Sequence, residues 1–152
     1  MFKIGEKVVH PLYGAGIINE ITQDNMYELE LDNGRMIMSV PIDNAEQIGL
    51  RRVHTSVEIN FLLEKIKTDD REVDLNWSKR YKDNLQKIKS GKLLLVAQVV
   101  RDLIKIDKGK GLSTGEKKML NNAKKILISE VACVKHIGEK DAEKLIYSIV
   151  KK

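Results

Sequence analysis

The chain has 152 residues, enough for one domain of ordinary size or two small ones. Hydrophobic residues make up 42% and charged residues 32%. That excludes a disordered polyelectrolyte, and no apolar run approaches the ~20 residues of a membrane span. The net charge of +5 is unevenly spread. Residues 1–53 hold five Lys/Arg against eight Asp/Glu, residues 54–152 hold 22 against 14, and residues 76–125 hold 14 against four. A two-module protein with one half facing a polyanion has this distribution, and so does one with a lysine-rich solubilising surface.

The N-terminal residues 1–6 have no apolar signal core and carry an early acid, so the expected location is the cytoplasm. The first fifty residues read as strands. Residues 7–10 run into Pro11, and 11–16 look turn-like, with Gly14 and Gly16 in a tight turn. Residues 17–21 form a second strand. Tyr27, Leu29 and Leu31 alternate with polar neighbours in a third. Asn33-Gly34 predicts a type I′ hairpin into a return strand, Met36-Ile37-Met38-Ser39-Val40, ended by Pro41. Residues 50–53 suit a short fifth strand. Strands this short predict a small barrel or a strongly bent sheet.

From about residue 55 the period becomes helical. Val57, Phe61, Leu62 and Ile66 mark a first helix, and residues 68–74 an exposed acidic connector. Asn76 caps a helix through about Lys89, closed by Ser90-Gly91. Residues 93–106 are apolar on most sides, as a central bundle helix is. Ser113 and Glu116 have the spacing of a capping box. The helix they open buries Met119, Leu120, Ala123, Ile126 and Leu127. Gly138 precedes a last helix with Ala142, Leu145, Ile146 and Ile149 on one stripe. The fold class is α+β: a β module over 1–53, then an all-α bundle of about five helices over 54–152. Cys133, with apolar neighbours, reads as a buried free thiol.

Catalytic chemistry is not visible. The three histidines lie far apart, with no metal-ligand spacing among them or with Cys133. There is no P-loop and no nucleophile elbow, and Gly14-Ala15-Gly16 precedes a strand, not a helix. The expectation is a non-enzyme with no cofactor, no metal and no small-molecule substrate.

Residues 76–84 are the most informative stretch. They place the sole tryptophan, Trp77, in the first turn of a helix with Lys79, Arg80 and Lys82 close by. Helix N-termini welcome phosphates. Yet Trp77, Tyr81, Leu85 and Ile88 also form one apolar stripe, so a core role for Trp77 stays open on spacing alone.

The opening Phe2 to Pro11 with Gly14-Ala15-Gly16, the run Asn76-Trp77-Ser78-Lys79-Arg80-Tyr81 with Asn84, Val99 to Leu103, and Leu112 to Leu120 together resemble the CarD/CdnL family of bacterial transcription regulators. The resemblance covers essentially the whole chain and is weakest over 21–35. It implies a Tudor/SH3-like N-terminal barrel that binds the RNA polymerase β subunit through Met36, Ile37, Met38, Ser39 and Val40, although Met36 and Met38 read equally well as core residues. It implies a helical domain that contacts promoter DNA at the upstream fork, largely without reading sequence, and so a nucleoid location through polymerase. The tryptophan matching Trp77 would wedge into opened DNA, with Lys79, Arg80, Lys82, Lys117 and Lys118 on phosphates. One departure stands out: Ser39 occupies a place where many members carry arginine. The competing functions are an architectural DNA-binding protein that needs no polymerase, and an adaptor whose basic helices meet an acidic protein.

Overall fold

The computed structural model describes residues 1–150. It divides into two compact units, Met1–His54 and Thr55–Lys152. The architecture is α+β, with the strands in the first unit and the five long helices in the second.

The first unit is a sheet of β1 (Lys7–His10), β2 (Gly14–Ile21), β3 (Met26–Leu31), β4 (Met36–Pro41) and β5 (Arg51–Arg52). The hydrogen-bonded order is β4-β3-β2-β1-β5, antiparallel throughout. Strands β4 and β5 are the edges, so pairing among the described residues leaves the sheet open. Alternation in β3 buries Tyr27, Leu29 and Leu31 with Val8, Ile18, Val40, Ala45 and Leu50. The Tyr27 hydroxyl accepts the Phe2 N–H at 2.9 Å, tying the N-terminus over this core.

Two turn expectations need correction. The hairpin after β3 pairs Leu31 with Met36, so its loop has four residues rather than a two-residue Asn-Gly turn. Asp32, Asn33 and Gly34 all take positive φ there, of 52°, 56° and 84°. Gly14 and Gly16 lie inside β2, not in a turn. Gly16 is required by a close approach: a Cβ would sit 2.5 Å from the Glu30 carbonyl oxygen and 2.5 Å from a Leu31 methyl.

The second unit comprises α1 (Ser56–Lys67), α2 (Trp77–Lys89), α3 (Leu93–Gly109), α4 (Thr114–Lys135) and α5 (Glu139–Val150). Helix α3 is central and touches the other four. In α1 the buried residues are Ile59, Leu62, Leu63 and Ile66. That is the i, i+3, i+4, i+7 set, and it leaves Val57 and Phe61 on the exposed side at 78% and 64%. The connector before α2 is less free than its composition suggests. Buried Arg101 of α3 donates to the carbonyls of Asp69 (3.1 Å) and Arg71 (2.8 Å), and to the Asp102 carboxylate (2.6 Å). Burial pushes the Asp69 carboxyl up, but hydrogen bonds from Arg71 and the charge of Arg101 outweigh it and hold it below the usual range. Cys133 is only half-buried. Among the described residues no helix is long and apolar enough to cross a membrane.

Two outcomes follow. Gly16→Ala should destabilise the first unit by about 1–3 kcal/mol through overpacking. His10 is buried and its Nδ1 accepts the Leu12 N–H at 3.1 Å, a bond only the unprotonated nitrogen makes. Burial pushes its pKa down, so below about pH 6.5 the unfolded chain binds a proton that the folded one refuses. Stability therefore falls as pH drops through that value towards the folded pKa. In urea titrations at neutral and mildly acid pH, His10→Asn should lose less stability than wild type.

Candidate nucleic-acid interface

Two helix N-termini meet in the second unit. Asn76 caps α2, its side chain accepting the Lys79 N–H at 3.2 Å. Ser113 caps α4 by accepting the Glu116 N–H at 3.2 Å. The expected capping box is only half made, because Glu116 does not reach back. Its carboxylate instead takes both arms of Arg80, from Nε at 2.8 Å and Nη2 at 2.9 Å. Arg80 is 8% exposed and Glu116 1%. The third guanidinium nitrogen donates to the Asp74 carbonyl at 2.9 Å. Hydrogen bonding to Glu116 pushes the Arg80 pKa higher still, outweighing burial. Arg80 is thus committed to holding α2, α4 and the end of the connector together. Its expected role on DNA phosphates is corrected: the charge is buried and already neutralised.

This pair fixes what stands on the surface above it. Trp77 is 50% exposed. Its ring stacks on Tyr81, with centroids 5.5 Å apart and planes 25° apart. Its Nε1 donates to the Ser113 Oγ at 3.3 Å. One face of the indole is supported and its position is set by a directional bond, while the rest is open to solvent. The apolar stripe expected with Trp77 is therefore partial: Tyr81 and Ile88 pack on the core, but Leu85 is exposed.

The unpaired charges at the two helix starts around the indole are of one sign. Helix α2 has no acid in its first turn, and Lys79 there reaches Asp74 at 3.4 Å. Lys82, Lys117 and Lys118 are exposed and make no ion pair among the described residues. Cations at helix N-termini oppose the macrodipole, so the protein alone gains nothing electrostatically from them there. An anion bound above the two N-termini would meet free N–H groups, lysines and an aromatic face together. The structure brings Trp77, Lys79, Lys82, Lys117 and Lys118 to the ends of these two helices and removes Arg80 from the surface. Ser113, Tyr81 and Glu116 join the site without having been expected in it. The i, i+4 stripe signalled Tyr81 beside Trp77, and the Ser113–Glu116 spacing signalled the other two but pointed to a different partner for Glu116.

The β4 residues divide by the period of the strand. Ile37 (55% exposed) and Ser39 face outward, Met36 and Met38 are half-buried against the sheet core, and Val40 is buried. Met36, Met38 and Val40 are therefore core residues first, and the outward contacts available are Ile37, Ser39 and the unpaired edge of the strand.

Residues 2–54 match the family model of the CarD-like/TRCF RID domain, and residues 62–147 that of the CarD C-terminal domain. The chain belongs to the CarD family. Among relatives, it is 35% identical over 147 residues to the "Putative transcription factor YdeB" of Bacillus subtilis (strain 168), an alignment covering 92% of this chain and 96% of that protein. Within this CarD chain the two matched segments fall on either side of the boundary at His54.

Removing one partner of a buried ion pair strands the other charge, at a cost of about 3–5 kcal/mol, whereas replacing both can be neutral. Arg80→Met should lower stability by that amount in chemical denaturation. The double variant Arg80→Met, Glu116→Leu should recover most of it. Lys82→Gln, at the exposed position, should change stability by less than about 0.5 kcal/mol.

Proposed function

We propose that this CarD-family chain is a transcription regulator that docks on RNA polymerase through its sheet unit and stabilises melted promoter DNA with its helical unit. The observation that carries the reading is the half-exposed Trp77, held by Tyr81 and Ser113 between two helix N-termini that carry exposed lysines. An aromatic ring presented this way can stack at an unstacked base step, worth about 1–3 kcal/mol. It finds no such partner in paired duplex. The ring therefore binds open DNA better than closed, and that difference shifts the melting equilibrium. Lys79, Lys82, Lys117 and Lys118 supply phosphate contacts that orient the duplex without reading its sequence.

The polymerase contact is assigned to the free edge of β4. Its unpaired backbone groups and outward Ile37 suit strand addition by a partner, here the β subunit that the family resemblance implies. Ser39 brings no charge to that edge, so backbone pairing and Ile37 carry the contact. The Tudor-like character of this unit rests on the same family assignment.

The experiment is the lifetime of promoter open complexes formed by the cognate polymerase with and without the protein. Wild type should lengthen it. Trp77→Ala, in a chain that keeps its fold by circular dichroism, should lose about a tenfold effect, the equivalent of roughly 1.4 kcal/mol. Ile37→Glu should lose the effect through weakened polymerase binding while leaving DNA binding by the protein alone intact. An unchanged lifetime with wild type on a fast-collapsing promoter would falsify the proposal.

A further inference from the structure

Strand β4 is an open edge with no charge on it. Met36 to Pro41 include no Lys, Arg, Asp or Glu. Edge strands that must stay unpaired commonly carry charge, which repels a second strand. Alternation turns Ile37 and Ser39 outward, and both are exposed.

The register sets what lies behind them. On the outward face Ile37 pairs with Glu30 and Glu30 with Ile17, while Ser39 pairs with Glu28 and Glu28 with Glu20. The first row has an exposed isoleucine on either side of its glutamate. The second row sets two glutamates directly opposite each other, an arrangement that destabilises a sheet. None of the three glutamates makes an ion pair among the described residues. The cations nearest in register flank the Ile37 row: Lys7 stands opposite Ile17, and Arg35 lies in the hairpin loop two residues before Ile37. The Glu20–Glu28–Ser39 row has no cation of its own.

This arrangement discriminates among strands that could add to the edge. A second copy of the chain would bring another uncharged β4 with its own acids behind it, so acid would face acid across the joint. A strand carrying a cation is drawn in instead. Neighbouring strands lie about 4.8 Å apart, so a residue opposite Ser39 would stand roughly 10 Å from the Glu28 backbone. The short Ser39 side chain leaves the space between them open. A lysine or arginine stem and a glutamate stem together bridge it.

We infer that the β4 edge takes a partner strand with an apolar residue opposite Ile37 and, two positions along, a lysine or arginine opposite Ser39 that reaches over the serine to Glu28 and Glu20. Ser39 is then the gap that admits the partner's cation, and the two glutamates select the partner by charge. Binding relieves their mutual repulsion, which the protein alone bears. This deepens, and rests on, the polymerase contact proposed above, because it states what the polymerase strand must present. It is independent of the DNA-binding part of that reading.

The test is binding of the full chain to cognate core RNA polymerase, measured by biolayer interferometry across a salt series with no DNA. Glu28→Gln should bind at least about fivefold more weakly near 0.1 M salt, and its affinity should fall less steeply as salt rises. Its urea midpoint should be equal to or above wild type, because a like-charge pair is removed, so a loss of binding is not a loss of fold. Ser39→Arg closes the gap and brings a cation to Glu28 from within the chain, so it should also weaken binding. Glu46→Gln, an exposed acid outside β2, β3 and β4, should bind as wild type does. Wild-type affinity in Glu28→Gln, or tighter binding by Ser39→Arg, would overturn the inference while the docking of β4 on polymerase stands. Wild-type affinity in Ile37→Glu would remove the β4 docking itself, and the inference with it.

Discussion

Arg80 and Glu116 form the contact on which the surface around Trp77 depends. The pair is bidentate and almost fully buried, and its third arm holds the Asp74 carbonyl. Helix α2 begins three residues after Asp74 and α4 begins two before Glu116. One guanidinium therefore fixes the relative position of two helix N-termini and the chain leading into one of them. Arginine suits this place where lysine would not, because its planar fork satisfies both carboxylate oxygens and a carbonyl at once. A second buried arginine, Arg101, holds the earlier part of the same connector through the Asp69 and Arg71 carbonyls. Between them the two residues make a loop of charged composition into a rigid lead-in to Trp77.

Rigidity here has a functional consequence. An aromatic wedge gains from stacking only what is left after its own ordering is subtracted. Trp77 is held in place within the protein itself: Tyr81 supports one face and Ser113 holds Nε1. The local electrostatics lean the same way. The only acid in the first turn of α4 is consumed by Arg80, so Lys117 and Lys118 remain uncompensated there, while Lys79 of α2 pairs with Asp74 at 3.4 Å. The protein carries an electrostatically unfavourable arrangement at these N-termini that a bound phosphate would relieve.

Much of this was legible in the sequence, and the failures share a cause. The strands, the five helices, the caps at Asn76 and Ser113 and the central position of α3 follow from local period and capping chemistry, which act over a few residues. Apart from the length of the Asn33-Gly34 loop, the errors arose mostly where the deciding partner lay far along the chain. Glu116 has the spacing of a capping-box acid, but Arg80, 36 residues earlier, competes for its carboxylate and wins with two charged hydrogen bonds. For the same reason Arg80 looked like a phosphate ligand beside Lys79 and Lys82 when it is buried. Gly16 looked like a turn residue because nothing local reveals that the Glu30 backbone crosses within 2.5 Å of where its Cβ would be. In α1 the helical period was right, but of the four residues that marked it Val57 and Phe61 face outward while Leu62 and Ile66 are buried, and of the two readings open for Met36 and Met38 the structure favours the core.

Because Trp77 is the sole tryptophan, its fluorescence reports on the proposed wedge without interference from other indoles. The decisive measurement is its emission in the full chain saturated with a synthetic DNA carrying a permanently unpaired bubble, beside the same chain saturated with the fully paired sequence. Stacking on an unpaired base should quench and shift the emission with the bubble and leave it nearly unchanged with paired DNA. Identical emission in both complexes would mean that the indole does not enter melted DNA, and the grip on the bubble described here would be wrong.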